Sequence, residues 1–102
     1  MPETAADLKS QAAWLAAFSE PTRLAIIRIL AAGDKTVTVI ARACGVAVVN
    51  VSNHLGVMQA AGLVVAAREG RLMRYTLVGA TATASAVELS HPSGVKVIVP
   101  LG

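Results

Sequence analysis

The sequence predicts a mainly α-helical domain with a small amount of β-sheet, and three observations support this fold class. Up to residue 61, four stretches have the apolar spacing or the boundary residues of helices. Two β-type runs follow at residues 63–68 and 72–77, separated by the turn residues Glu69-Gly70-Arg71. A second pair of alternating apolar runs lies near the end of the chain. We therefore expect helices first and β-hairpins after them.

The first two helices are predicted at residues 5–18 and about 21–31. Apolar residues recur on one face of the first helix, which holds Leu8, Ala12, Leu15 and Phe18 with Trp14 beside them. Ser19 or Glu20 can cap the second helix, and Pro21 suits its first turn because the N–H that proline lacks has no partner there. Gly33 is the expected stop.

The next two helices are separated by a short glycine turn. Thr36 or Thr38 can cap the third helix, which ends at Gly45. The fourth helix runs from about residue 48 to 61, ends before Gly62 and carries the concentrated amides of the chain. A hairpin with arginines comes next. This order predicts a winged helix-turn-helix, in which the second helix of the pair lies in the DNA major groove and the hairpin braces it.

The remaining residues predict an additional C-terminal β-hairpin. Residues 79–85 are small, so any helix there would be weak. Residues 87–90 and 95–99 alternate apolar and polar side chains around a segment with proline and glycine. We expect a single domain over residues 1–102, with a core at about 5–78 and the hairpin extension at about 86–100.

The composition favours self-association and a polyanionic partner. Hydrophobic residues make up 55% of only 102 residues, and the mean hydropathy is +0.63. A small monomer cannot bury that much apolar surface, so we expect a dimer. The net charge of +3 is a mild bias toward polyanions. Three arginines fall within residues 68–74, whereas Arg23, Arg28 and Arg42 are expected to be charges on helix surfaces.

Several other classes of protein fit the sequence poorly. Cys44 is the only cysteine, and no basic–apolar–small leader opens the chain, so a cytoplasmic protein is expected. Residues 43–67 are uncharged and suggest a membrane span as an alternative, but three glycines and five polar side chains interrupt them. No Gly-rich phosphate loop, paired carboxylates or supported Ser-His-Asp order is present, so no enzyme is predicted.

Three segments in order, SEPTRLAIIRILAAG, VSNHLGVMQAAGLV and REGRLMRYTL, carry a family resemblance. Over about residues 16–77 the chain resembles the ArsR/SmtB-type bacterial winged-helix repressors. The resemblance implies a dimeric transcriptional regulator that binds double-stranded DNA at a palindromic operator. Many such proteins release DNA when they bind a metal ion.

The start of the fourth helix is the expected site of base contacts, since such side chains reach base edges in a helix-turn-helix. Asn50 and Asn53 each offer the donor and acceptor that adenine presents in the major groove. Val48 or Val49 can press on thymine methyl groups. Residues 47–49 are apolar where the family often has hydroxyl and amide residues, so we expect fewer base hydrogen bonds and more contact with DNA shape and phosphates.

Phosphate contacts are expected from Ser52 and His54, and from Arg68, Arg71 and Arg74 of the wing. Guanidinium groups near a hairpin tip suit phosphates or a narrow minor groove. A solvated helix face is the alternative for Asn50, Asn53 and His54. For His54, a hydrogen bond within the domain is an equal alternative. Solubilising surface charge is the alternative for the three arginines.

The metal-sensing residues of the resembled family are not present. The positions of its Cys-x-Cys pair hold Thr36 and Thr38, and hydroxyls cannot replace thiolates for a soft metal. Cys44 falls where the family has a buried leucine, so it is expected in the core. A hairpin replaces the C-terminal helix that carries other metal sites, and His91 is expected in its turn. We predict no metal, no cofactor and an inducer that the sequence does not identify.

The dimer is expected to form through the first helix, because the last helix of the family is missing. Leu8, Trp14, Leu15 and Phe18 would pack against the symmetry mate, and the tail hairpin would extend the wing sheet or cover that interface. The leading interpretation is a sequence-specific transcriptional regulator that acts as a repressor. The alternative is a winged-helix module that binds protein, and the wing arginines count against it.

Overall fold

The computed structural model describes residues 4–102 of the chain, with the helices first and most of the strands after them. The helices are α1 (Ala5–Ala16), α2 (Pro21–Leu30), α3 (Val37–Cys44) and α4 (Val48–Ala60). The strands are β1 (Lys35–Thr36), β2 (Val64–Glu69), β3 (Leu72–Leu77), β4 (Ala80–Ala82), β5 (Ala86–Ser90) and β6 (Lys96–Pro100). The predicted fold class, with its additional C-terminal hairpin, is confirmed. The first three residues of the predicted domain lie outside the described part.

Short-range signals set the starts of α1 and α2. Thr4 and Asp7 form a capping box, in which the Asp7 N–H donates to the Thr4 hydroxyl at 3.1 Å and the Thr4 N–H donates to the Asp7 carboxylate at 3.2 Å. Glu20 caps α2 by accepting the Arg23 N–H at 3.0 Å, and Pro21 occupies the first turn. These contacts confirm Glu20 as one of the two predicted caps.

The helix-turn-helix consists of α3, a three-residue turn and α4. Gly45 ends α3 with φ at 69°, in the left-handed region where a side chain is disfavoured. Thr36 stands at the cap position of α3, but its hydroxyl forms no capping bond there. The Thr36 and Thr38 hydroxyls lie 3.3 Å apart instead. The predicted turn and the approximate bounds of α4 are confirmed.

The wing is the hairpin of β2 and β3, and β1 pairs with the other side of β3. The pairing runs antiparallel from Val64 opposite Leu77 to Glu69 opposite Leu72. Gly70 takes φ at 61° in the two-residue turn, a conformation in which side chains are disfavoured. No pattern in the sequence predicts β1, because two residues make a strand only through their pairing with distant β3.

The tail forms a separate antiparallel sheet in the order β4-β5-β6. The predicted hairpin corresponds to β5 and β6, and the unpredicted β4 adds the third strand. Val87 pairs with Val99 and Leu89 pairs with Val97, so these apolar side chains share one face. Of the two alternatives for the tail, extension of the wing sheet is wrong, since the two sheets share no strand.

One hydrophobic core joins the helices, the wing and the tail sheet. Trp14 and Phe18 of the α1 end are buried in it, with exposures of 2% and 8%, together with Val87 and Leu89 of the tail. The His91 ring of the tail turn lies 5.6 Å from the Trp14 ring. The expectation that Trp14 and Phe18 face a symmetry mate is therefore wrong, because the chain buries them itself.

Candidate nucleic-acid interface

Helix α4 packs against the core with one face, and its opposite face is exposed. Val51, Leu55 and Met58, spaced by four and three residues, are fully buried in the core. The residues predicted to contact bases and phosphates at the helix start are exposed, namely Val48, Val49, Asn50, Ser52 and Asn53. Packing therefore turns the start of α4 outward.

Val49 and Asn53 occupy the middle of this exposed face. They lie one turn apart and about opposite the buried anchor side chains at 3.6 residues per turn. Val49 is 64% exposed, the most of any valine on α4. Asn50 and Ser52 lie on opposite flanks of the same face. A molecule that binds this face would contact the apolar side chain of Val49, the amides of Asn50 and Asn53 and the hydroxyl of Ser52.

The backbone at the start of α4 offers hydrogen-bond donors. Asn50 and Val51 donate the first bonds of the helix, both to the Ala47 carbonyl, at 3.0 and 3.1 Å. The N–H groups of Val48 and Val49 precede that ladder and point out of the helix end. Ala47 provides no side-chain cap, and no acidic residue lies in the first turn. The partial positive charge of this helix end favours an anion such as phosphate.

His54 bonds within the domain, as one of the two alternatives predicted. Its Nδ1 atom lies 3.2 Å from an Arg23 guanidinium nitrogen and 3.5 Å from a Glu20 carboxylate oxygen. The Arg23 Nε donates to the Ala17 carbonyl at 2.8 Å. The expectation that Arg23 is a surface charge is wrong, since it joins α1, α2 and α4. The sequence does not predict this contact, because Arg23 and His54 are 31 positions apart and only the spacing of Glu20 and Arg23 is a local signal.

The electrostatics around Glu20 favour its charged form. Burial alone would raise the pKa of Glu20, but backbone N–H groups of Arg23 and Thr22 donate to the carboxylate. The positive charge of Arg23 acts in the same direction, as does the charge of His54 when its ring is protonated. The pKa of Glu20 therefore lies below its ordinary value.

The three predicted wing arginines do not form one cluster. Arg68 pairs with Met73 across the hairpin and Arg74 pairs with Ala67, so the two side chains leave opposite faces of the sheet. Arg71 lies in the exposed turn. The wing therefore presents its guanidinium groups in different directions.

Arg74 is the wing arginine with acidic partners. Its guanidinium donates to the Glu69 carboxylate and to the Asp34 carbonyl at 3.3 Å, and lies 3.9 Å from the Asp34 carboxylate. The hydrogen bond to Glu69, followed by the charges of both carboxylates, raises the pKa of Arg74. Within residues 4–102, Arg68 and Arg71 are exposed and form no ion pair.

The sequence of the helix-turn-helix itself contains no acidic side chain. Between Lys35 and Arg68 there is no aspartate or glutamate, while Arg42 adds a cation in the last turn of α3. A polyanion meeting the exposed face of α4 would therefore meet no carboxylate from α3 or α4. This absence strengthens the effect of a modest net charge.

No metal-binding arrangement is found in the part of the chain that the structure describes, where no three His, Cys, Asp or Glu residues lie close enough to hold an ion. Cys44 is half-buried against the core, and burial raises the pKa of its thiol. None of the helices described is both long and apolar enough to cross a membrane.

Known proteins with similar sequences or structures identify the family. Residues 18–65 match the sequence family described as a helix-turn-helix domain. No curated protein sequence matches the chain significantly.

Solved structures give the more specific result. The homodimeric winged helix-turn-helix DNA-binding domain (fragment 1–100) of Mb0332 from Mycobacterium bovis, a possible ArsR-family transcriptional regulator, is 36% identical. That match covers 74% of this chain and 69% of that chain, with a TM-score of 0.71. A crystal structure of a possible transcriptional regulatory protein (fragment 1–100) from the same organism is 35% identical over 76% of this chain and 83% of that chain, with a TM-score of 0.72.

A third similar structure is the transcriptional repressor BigR from Xylella fastidiosa. It is 26% identical, the match covers 74% of this chain and 82% of that chain, and the TM-score is 0.62. With its outward-facing α4, its wing and these similarities, the chain belongs to the ArsR family of winged helix-turn-helix DNA-binding transcriptional regulators.

Proposed function

We propose that this protein is a homodimeric, sequence-specific repressor that binds a palindromic operator with α4 and braces the complex with its wing. The observation that carries the proposal is the outward-facing start of α4, with exposed amides and no acidic side chain between residues 35 and 68. A protein-binding module would not need that charge pattern.

The proposed base contacts come from exposed residues in the first two turns of α4. Asn53 and Asn50 hydrogen-bond adenine edges, and Val49 or Val48 contacts thymine methyl groups. Few polar side chains are available there, so we propose that DNA shape and phosphate contacts supply much of the affinity.

The proposed phosphate contacts surround this face. Ser52 and the N–H groups at the start of α4 that precede the helical hydrogen bonds bind DNA phosphates beside the major groove. Arg68 and Arg71 reach the phosphates or minor groove nearby. Arg74 contributes least, because Glu69 and Asp34 already partner its guanidinium. We propose that His54 contacts phosphate through its Nε2 atom.

The proposed dimer uses the outer stripe of α1. Leu8 and Leu15 are 53% and 41% exposed, and Ala12 lies exposed between them. This stripe is one continuous helical face, directed away from buried Trp14. The M. bovis domain similar to this chain is homodimeric. A two-fold dimer would present two α4 helices to half-sites separated by about 34 Å, one turn of DNA.

The proposed regulator has no enzymatic activity and no thiolate metal site. Thr36 and Thr38 hydroxyls occupy the positions that the family resemblance assigns to soft-metal ligands. Regulation would then depend on another ligand, on a partner protein or on simple occupancy of the operator. A regulator of this kind acts on the chromosome, so we propose a cytoplasmic location.

Selection of bound duplexes from a random pool tests this function. We expect a palindromic sequence, and fluorescence anisotropy should show its affinity falling about 10³-fold between 50 and 200 mM salt if six or more phosphates are neutralised. A pool with no enriched sequence and no salt-sensitive binding would contradict the proposal and favour the protein-binding alternative.

A further inference from the structure

Arg23 joins three helices through separate donors. Its backbone N–H donates to the capping carboxylate of Glu20 at 3.0 Å, and its Nε donates to the Ala17 carbonyl at 2.8 Å. A terminal guanidinium nitrogen lies 3.2 Å from the Nδ1 atom of His54. The Arg23 side chain is half-buried, so these bonds hold it in a defined orientation beside α4.

The chemistry of this contact determines the tautomer of His54. A guanidinium group has donors and no acceptor, so Nδ1 must accept the hydrogen bond from Arg23. A neutral imidazole with an accepting Nδ1 carries its proton on Nε2. The Glu20 oxygen at 3.5 Å would favour a proton on Nδ1, but it is the more distant partner and already accepts from the Arg23 backbone.

The Nε2 donor of His54 is placed beside the candidate DNA-binding face. His54 follows Asn50 by four residues, so the two lie one turn apart on the same flank of α4. The His54 side chain is 25% exposed. Among residues 4–102, no group forms a hydrogen bond with the Nε2 atom of His54.

We propose that Arg23 is a positioning residue for DNA binding, which holds His54 in the Nε2–H tautomer so that the ring donates to a DNA phosphate. Arg23 itself does not contact DNA. The second half of this inference rests on the proposed function, whereas the tautomer is a property of the free protein. A bidentate guanidinium is suited to this task because one donor holds α1 and another holds the imidazole.

The tautomer is tested by two-bond ¹H–¹⁵N NMR of the free, full-length protein at neutral pH. We expect the pattern of an Nε2–H imidazole for His54, and a mixture of tautomers in Arg23→Gln. The matched control is Arg28→Gln, which removes one exposed arginine from the same helix and should leave the His54 pattern unchanged. A wild-type Nδ1–H pattern would overturn the inference without any DNA measurement.

The role in binding is tested by anisotropy on the selected duplex. Arg23→Gln should lose about tenfold more affinity than Arg28→Gln, as expected for one lost phosphate contact. In His54→Gln, the glutamine places an amide donor near the Nε2 position, and an amide has no tautomer for Arg23 to select. Adding Arg23→Gln to this variant should therefore reduce the affinity for DNA little further. Equal losses in both backgrounds would overturn the positioning role and indicate a structural one. Absence of wild-type binding would contradict the proposed function, while the NMR result would stand.

Discussion

Glu20 shows how one side chain can contribute to both folding and the candidate site. Its carboxylate caps α2 and lies 3.5 Å from the Nδ1 atom of His54 on α4. The capping contact is local, and the Ser-Glu-Pro-Thr segment predicts it. The second depends on how α2 packs against α4, so no spacing in the sequence indicates it. The same limit explains why the sequence predicts Arg23 to be a surface charge.

Acid should weaken the fold through the capping carboxylates. The pKa of Glu20 is lowered in the folded state, and so is that of Asp7, mainly through its hydrogen bonds with Thr4. A lowered folded-state pKa gives stability that is present above the unfolded-state pKa and lost as pH falls through the folded value. We therefore expect the free energy of unfolding to decline below about pH 4.5, the ordinary pKa of glutamate.

Urea unfolding at several pH values between 7 and 3 measures this decline. Glu20→Gln should flatten it, because the variant has no carboxylate to protonate. Glu88→Gln is the control, since Glu88 caps no helix and has only a 3.9 Å contact with Lys96. A Glu20→Gln profile parallel to that of the wild type would contradict this account.

At the scale of elements, the sequence predicts those helices, strands and turns that have local signals. The β3 strand, the wing turn and the α4 helix follow from a run of β-type residues, a glycine turn and a glycine stop. β1 and β4 were missed because each gains strand structure only by pairing, β1 with β3 and β4 with β5. The tail hairpin was predicted, but its position was not, because Val87 and Leu89 insert into the core beside the helices.

The tail sheet should therefore stabilise the whole domain. Leu89 is fully buried, so Leu89→Ala should lower the free energy of unfolding by about 2–5 kcal/mol. Ile98 on the outer face of the same sheet is 65% exposed, and Ile98→Ala should change it by less than about 0.5 kcal/mol. Urea denaturation compares the two. Equal effects would show that the tail sheet does not belong to the core.

At the scale of the whole molecule, the apolar surface of the side chains is divided between the core and the outside of the domain. Much of it enters a core that includes the tail sheet, which is why Trp14 and Phe18 are buried without a partner copy. The rest remains on the outer face of α1, where Leu8 and Leu15 are exposed. The composition predicted self-association, but it could not tell which face of α1 the tail would cover.

The α1 stripe should decide the oligomeric state. We expect a wild-type dimer in analytical ultracentrifugation and a folded monomer for the double variant Leu8→Glu, Leu15→Glu, because buried carboxylates at the two-fold contact lack partners. Ile98→Glu adds one charge to an exposed site elsewhere and should remain dimeric. A dimer that survives both α1 substitutions would place the interface on another surface.

The most direct test of the account compares two amides on α4 for their role in DNA binding. Asn53 lies in the middle of the exposed face near the helix start, whereas exposed Gln59 lies in its last turn. In anisotropy with the selected duplex, Asn53→Ala should weaken binding by about 1–3 kcal/mol and Gln59→Ala should leave it unchanged. Unchanged binding by Asn53→Ala, or an equal loss for Gln59→Ala, would contradict the claim that the start of α4 reads DNA.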